Sequence, residues 1–123
     1  MNILLIDDDL MIHKVLNHSL IALGHKIISA TNGQKALDYL KLERDIDIII
    51  CDMIMPQVTG PEFISHLKEY YSKWMPVIII ISSLEQGNEI LNNTGLKFNY
   101  FIQKPFEISD LTGIIEHIEK SKK

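Results

Sequence analysis

The chain has 123 residues, 46% of them hydrophobic and 23% charged, with a formal net charge of −4 and one cysteine. That length suits one domain able to bury a core without disulfides or a structural metal, so a single domain over residues 1–123 is expected. Mild acidity with scattered lysines argues against a nucleic-acid or anionic-membrane surface, while a lone Cys51 and five histidines without metal-ligand spacing argue against disulfides and zinc and for a reducing, cytoplasmic setting.

The first apolar run, 3–6, is too short for a signal peptide or a membrane span and reads as a strand that ends on Asp7, Asp8 and Asp9. Ile12, Val15, Leu16, Leu20 and Leu23 then form a stripe at helical spacing, with Gly24 placed for a left-handed C-terminal cap. A second strand over 27–30 ends in Thr31 and Asn32, and a shorter helix covers roughly 34–40. The third strand, 46–51, ends at Asp52. Pro61 after Gly60 opens a third helix that carries Phe63, Ile64 and Leu67 inward. The fourth strand, 77–81, leads to Ser82 and Ser83. Residues 85–99 crowd Gly87, Asn92, Asn93, Thr94 and Gly95 where a fourth helix is required, so a short, mobile helix is expected. The fifth strand, 100–102, is followed by Lys104 and Pro105, and a last helix buries Leu111, Ile114, Ile115 and Ile118.

Strands alternating with helices predict an α/β fold with a parallel sheet. The runs around Ile48–Ile50 and Ile78–Ile81 are apolar at every position, as in central strands covered on both faces, and should be the most buried. The ligand site of such a sheet lies beyond the carboxyl ends of its strands. There the sequence places Asp7, Asp8, Asp9, Asp52, Ser82, Ser83 and Lys104. Converging carboxylates repel unless a divalent cation relieves them, and hard oxygen ligands without EF-hand spacing fit Mg²⁺. A metal, a carboxylate, a hydroxyl and a lysine at one edge suit phosphoryl transfer to the carboxylate, with Asp52 on the middle strand as nucleophile. Simpler roles compete for some of these residues. Asp9 reads as a helix N-cap, Cys51 as a small core residue, Trp74, Tyr70 and Tyr71 as packed aromatics, and His13, His18, His25, His66 and His117 as surface residues.

Ile6-Asp7-Asp8-Asp9, Asp52-Met53-Ile54-Met55-Pro56 with Gly60, Ser82-Ser83 and Lys104-Pro105-Phe106 together make the whole chain resemble the receiver domain of two-component response regulators. The resemblance implies a flavodoxin-like five-stranded parallel sheet in the order 2-1-3-4-5 with helices on both faces. It implies Mg²⁺ on Asp7, Asp8, Asp52 and the Ile54 carbonyl, and a phosphoryl group passed to Asp52 from a histidine kinase or a phosphotransfer protein. Ser82 and Lys104 would meet the phosphoryl oxygens, Phe101 would move inward with Ser82 as the switch, and Lys104-Pro105 would be a cis peptide. Such a chain is a signalling phosphoacceptor that assists its own phosphorylation and dephosphorylation, and is not otherwise an enzyme. Its signal would leave through the fourth and fifth helices and the fifth strand to a downstream target protein, with no direct nucleic-acid contact and no membrane insertion.

Several positions depart from the common pattern. Ser83 is an alternative to Ser82, though the distance back from Lys104 favours Ser82; Phe101 replaces the frequent tyrosine; Thr59 replaces a frequent acid. Apolar Ile54 and Leu84 beside the path of attacking water predict slow self-dephosphorylation, so loss of the phosphoryl group within seconds would refute that expectation. Among rival readings, aspartates in the first loop would repel a flavin phosphate. An aspartyl phosphatase would place nucleophile and acid two residues apart after its first strand. The remaining alternative is a degenerate receiver that serves as a phosphorylation-independent scaffold.

Overall fold

The computed structural model describes residues 1–53, 60–71, 75–83 and 98–121. Ile54, Thr59, Trp74, Leu84 and the helix expected within 85–99 lie outside the described residues, apart from Phe98 and Asn99. The described elements are β1 (Asn2–Ile6), α1 (Leu10–Ala22), β2 (Lys26–Ala30), α2 (Gly33–Leu42), β3 (Ile48–Asp52), α3 (Gly60–His66) with a 3₁₀ turn (Leu67–Glu69), β4 (Val77–Ser82), β5 (Tyr100–Gln103) and a last helix, α4 (Ile108–Ser121). All neighbouring strands pair in parallel, in the order β2-β1-β3-β4-β5, which is the expected 2-1-3-4-5 sheet.

Strand alternation sends successive side chains to opposite faces, so a strand apolar at every position needs cover on both. One face carries Ile3, Leu5, Ile48, Ile50, Ile79 and Ile81 against Leu16 and Leu20 of α1 and Leu111, Ile115 and Ile118 of α4. The other carries Leu4, Ile6, Ile49, Ile78 and Ile80 against Ala36, Leu37 and Leu40 of α2 and Phe63 and Ile64 of α3. β3 is buried at every position and β4 at all but Val77, as expected, and β1 matches them from Ile3 onward.

Register sets up the chemistry. Ile6 pairs with Cys51, which brings the next residues, Asp7 and Asp52, level at the carboxyl edge of adjacent strands. Asp52 pairs with Ile81 and Ser82 with Gln103, so Ser82 and Lys104 end their strands at the same edge. The Lys104 amide donates to the Ser82 carbonyl at 2.8 Å, and Lys104-Pro105 is cis.

Some local expectations are revised. β3 begins at Ile48 because Asp47 is held outside the ladder: its amide donates to the Asn2 carbonyl and its carboxylate accepts from the Asn2 amide. α2 starts at Gly33 because the Asn32 side chain caps it by accepting from the Lys35 amide at 2.8 Å. In α1 the buried stripe is His13, Leu16 and Leu20, whereas Val15 and Leu23 are exposed. Gly24 has the expected left-handed φ, +92°, and its amide donates to the Ile21 carbonyl.

Two histidines expected at the surface are buried. His13 lies on the buried side of α1, and His25 lies in the turn after Gly24, where its Nδ1 accepts from the Met1 ammonium at 3.1 Å and its Nε2 is 3.6 Å from Glu119. Each ring has found a polar partner inside, which periodicity alone does not reveal. His18, His66 and His117 are exposed as expected. Tyr71 is buried and donates to the Arg44 carbonyl at 3.0 Å, and the Arg44 guanidinium lies 5.1 Å over the Tyr70 ring, so these aromatics are packed. Among the described residues no helix is long and apolar enough to cross a membrane.

Candidate functional site

The end of β1 and the end of β3 bring Asp7, Asp8 and Asp52 together, with one carboxylate oxygen from each lying within 4.8 Å of the others. Asp7 is fully buried, Asp52 nearly so, and Asp8 is exposed, so the cluster has a buried floor and an open mouth. Lys104 reaches in from the end of β5, with Nζ 3.0 Å from Asp7 Oδ2 and 3.3 Å from Asp52 Oδ2. Burial of the lysine lowers its pKa, but the Asp52 charge and the hydrogen bonds to Asp7 outweigh it, and the net shift is upward. The ammonium is therefore held charged.

Among the described residues one ammonium faces three carboxylates, an excess of negative charge. The donor set is all hard oxygen, with no nitrogen or sulfur, and suits a small hard divalent cation in a site open on one side to water and ligand. Asp7, Asp8 and Asp52 fit such an ion; the fourth expected ligand, the Ile54 carbonyl, lies outside the described residues.

The surrounding groups order this edge. Asp7 Oδ1 accepts from the Asp9 amide at 2.9 Å, and Asp9 Oδ1 accepts from the Met11 amide at 2.9 Å, so Asp9 is the N-cap of α1 and lies outside the acid cluster. Ser82 Oγ is buried and makes no hydrogen bond among the described residues, an unusual state for a hydroxyl at a strand end. Ser83, the alternative, follows the strand and is half-buried. Phe101 is half-buried against the α2–α3 face. Cys51 donates its thiol to the Asp52 carbonyl at 3.3 Å, and burial pushes its pKa far up, with Asp52 and Asp7 adding to the effect; it is a core residue.

A family model described as the response regulator receiver domain matches residues 3–116. The chain belongs to that family. This receiver is similar to the probable transcriptional regulator ycf29 of Cyanophora paradoxa, 36% identical over 121 residues, covering 95% of this chain and 55% of the relative. It is also similar to a chemotaxis protein CheY homolog of Campylobacter jejuni, 30% identical over 110 residues, covering 86% of this chain and 82% of the relative. The receiver thus spans about half the length of the ycf29 relative. Among solved structures it shares its fold with the receiver domain of a sensor histidine kinase from Pseudomonas aeruginosa, solved with a magnesium ion coordinated in its active site cleft. That match has a TM-score of 0.81 at 22% identity and covers 94% of each chain.

Asp7, Asp8, Asp52, Ser82 and Lys104, all expected at strand ends, come to one edge of the receiver. Two relations go beyond the sequence expectations. Lys104, which the resemblance sets against a phosphoryl group, has its shortest contact here with Asp7. His13, expected at the surface, is buried with Nε2 2.6 Å from the Asp7 carbonyl. A histidine six residues after a functional aspartate and in phase with Leu16 and Leu20 was the available signal for the second.

Proposed function

We propose that this receiver is the phosphoacceptor of a two-component or phosphorelay system, in which Asp52 takes a phosphoryl group from the phosphohistidine of a histidine kinase or a phosphotransfer protein with Mg²⁺ bound. The observation that carries this reading is the convergence of three carboxylates from separate loops and strands beside a charged lysine. An Asp52 carboxylate oxygen attacks phosphorus, the phosphorus–nitrogen bond breaks, and its electron pair returns to the imidazole. Lys104, already 3.3 Å from Asp52 Oδ2, exchanges part of that contact for a phosphoryl oxygen. The Ser82 hydroxyl, lacking a partner among the described residues, donates to another. Asp7, Asp8 and Asp52, with the Ile54 carbonyl that the resemblance implies, would hold Mg²⁺, which would neutralise charge on the transferring oxygens.

The receiver on this reading is a cytoplasmic signalling protein that assists its own phosphorylation and dephosphorylation and turns over no separate substrate. Ser82 and Phe101 relay the change to a downstream target protein through β5, α4 and the helix expected within 85–99. The test is an intact mass spectrum after incubation with Mg²⁺ and a small acyl phosphate donor. One acid-stable, base-labile phosphoryl group on the wild type and none on Asp52→Asn is expected. An unmodified wild type would overturn the proposal in favour of a scaffold that works without phosphorylation.

A further inference from the structure

We infer that His13 is a positioning residue for the acid cluster: its ring holds the Asp7 carbonyl and thereby aims Asp8, and with it the metal-binding geometry. His13 lies on the second turn of α1 with its side chain buried. A carbonyl can only accept, so the 2.6 Å contact to the Asp7 oxygen requires the proton to be on Nε2. Nδ1 is buried and has no partner among the described residues, so the contact to Asp7 is the ring's one described polar tie.

The bond falls at a sensitive point. The Asp7 amide donates to the Ala30 carbonyl, Oδ1 accepts from the Asp9 amide and Oδ2 accepts from Lys104, which fixes the residue's other polar groups. The carbonyl is held by His13. Because the peptide unit is planar, fixing that oxygen also fixes the amide of Asp8 and the direction in which its Cα leaves the strand. Asp8 is exposed, so no packing aims its carboxylate and the backbone must do so. His13 thus ties the body of α1 to the last peptide before the open ligand, a role comparable to the outer partners that orient metal ligands elsewhere.

This inference rests on the proposed Mg²⁺ site, and the experiment separates the two. Nitrogen and carbonyl NMR shifts of the metal-free protein and calorimetric titration with MgCl₂ are compared for the wild type, His13→Gln, His13→Asn and His13→Leu. A Gln amide can stand where Nε2 stands; an Asn amide reaches only the Nδ1 position, and Leu has no donor. Expected are a slowly exchanging His13 Nε2 proton in the wild type and wild-type Asp7 carbonyl and Asp8 amide shifts in His13→Gln. In His13→Asn and His13→Leu those shifts should move, and Mg²⁺ affinity should fall by about tenfold or more. The inference is overturned if His13→Leu keeps wild-type shifts and affinity, or if His13→Gln loses as much as His13→Leu. If His13→Leu does not fold, the Gln and Asn pair decides. If the wild type takes up no Mg²⁺, the metal reading falls, and the metal-free Asp7 and Asp8 shifts alone decide on His13.

Discussion

Lys104 neutralises two carboxylates at once, 3.0 Å from Asp7 and 3.3 Å from Asp52, and the first of these is fully buried. Lys104→Met keeps the stem and removes the charge that Asp7 and Asp52 share. The expected loss is about 1–3 kcal/mol in urea unfolding without metal. Added Mg²⁺ should recover much of that loss, because a dication then replaces the missing ammonium; an equal loss with and without Mg²⁺ would rule this out. Asp9→Ala should cost about 1 kcal/mol through loss of the α1 cap and leave Mg²⁺ affinity nearly unchanged, measured by the same titrations. At this scale the sequence disclosed identities better than relations. Strand ends name Asp52 and Lys104, but the Lys104–Asp7 pair spans 97 residues and the burial of His13 depends on how α1 rotates over the sheet. The first does not follow from spacing at all, and for the second the phase of His13 with Leu16 and Leu20 is the one sequence signal.

Phe63 is the largest fully buried side chain on α3, a helix of 7 residues that its own hydrogen bonds could not sustain alone. It packs in the same cluster as Met53, the residue that follows Asp52. Phe63→Ala should therefore lose about 3–5 kcal/mol, seen as a lower urea midpoint with an unchanged slope. A loss below about 1 kcal/mol would show that the cluster closes without it. Apolar runs make the central strands β1, β3 and β4 legible, because a buried parallel strand has no polar alternation to blur it. Boundaries were less legible: Ile46 is as buried as any strand residue, but Asp47 binds the β1 backbone with its side chain and delays β3 by two positions. Leu42 extends α2 although it is 90% exposed, since helix propensity and the chain's own hydrogen bonds carry the last turn.

Across the molecule, the end of the sheet remote from the acid cluster is fastened by His25, which joins Met1 to Glu119 of α4. Burial lowers the His25 pKa below 6.5, the Met1 ammonium adds to this, and Glu119 opposes it. With the folded value below the unfolded one, the unfolded chain binds more protons just under pH 6.5, so stability is full above that point and falls as pH drops through it. Melting temperatures should fall between about pH 7.5 and about pH 5.5, and His25→Gln should flatten that slope; an unchanged slope would assign it to other groups. The fold as a whole was legible because alternating elements and their polar strand ends agree on one topology. The interior placement of two histidines was not, since a ring with a hydrogen-bond partner buries as readily as an apolar one.

Asp7, Asp52 and Lys104 belong to the ends of β1, β3 and β5, with β4 lying between the last two. Only when β1, β3, β4 and β5 are all paired do the three meet, so a ligand there acts as a tie-bar across those four strands. Saturation at about one hundred times the dissociation constant should add about 2.7 kcal/mol to global unfolding. Amide exchange should slow by a common factor from β1 through β5, and in β2 at the far edge as well; slowing confined to the loops around the ion would mean that the sheet opens piecemeal.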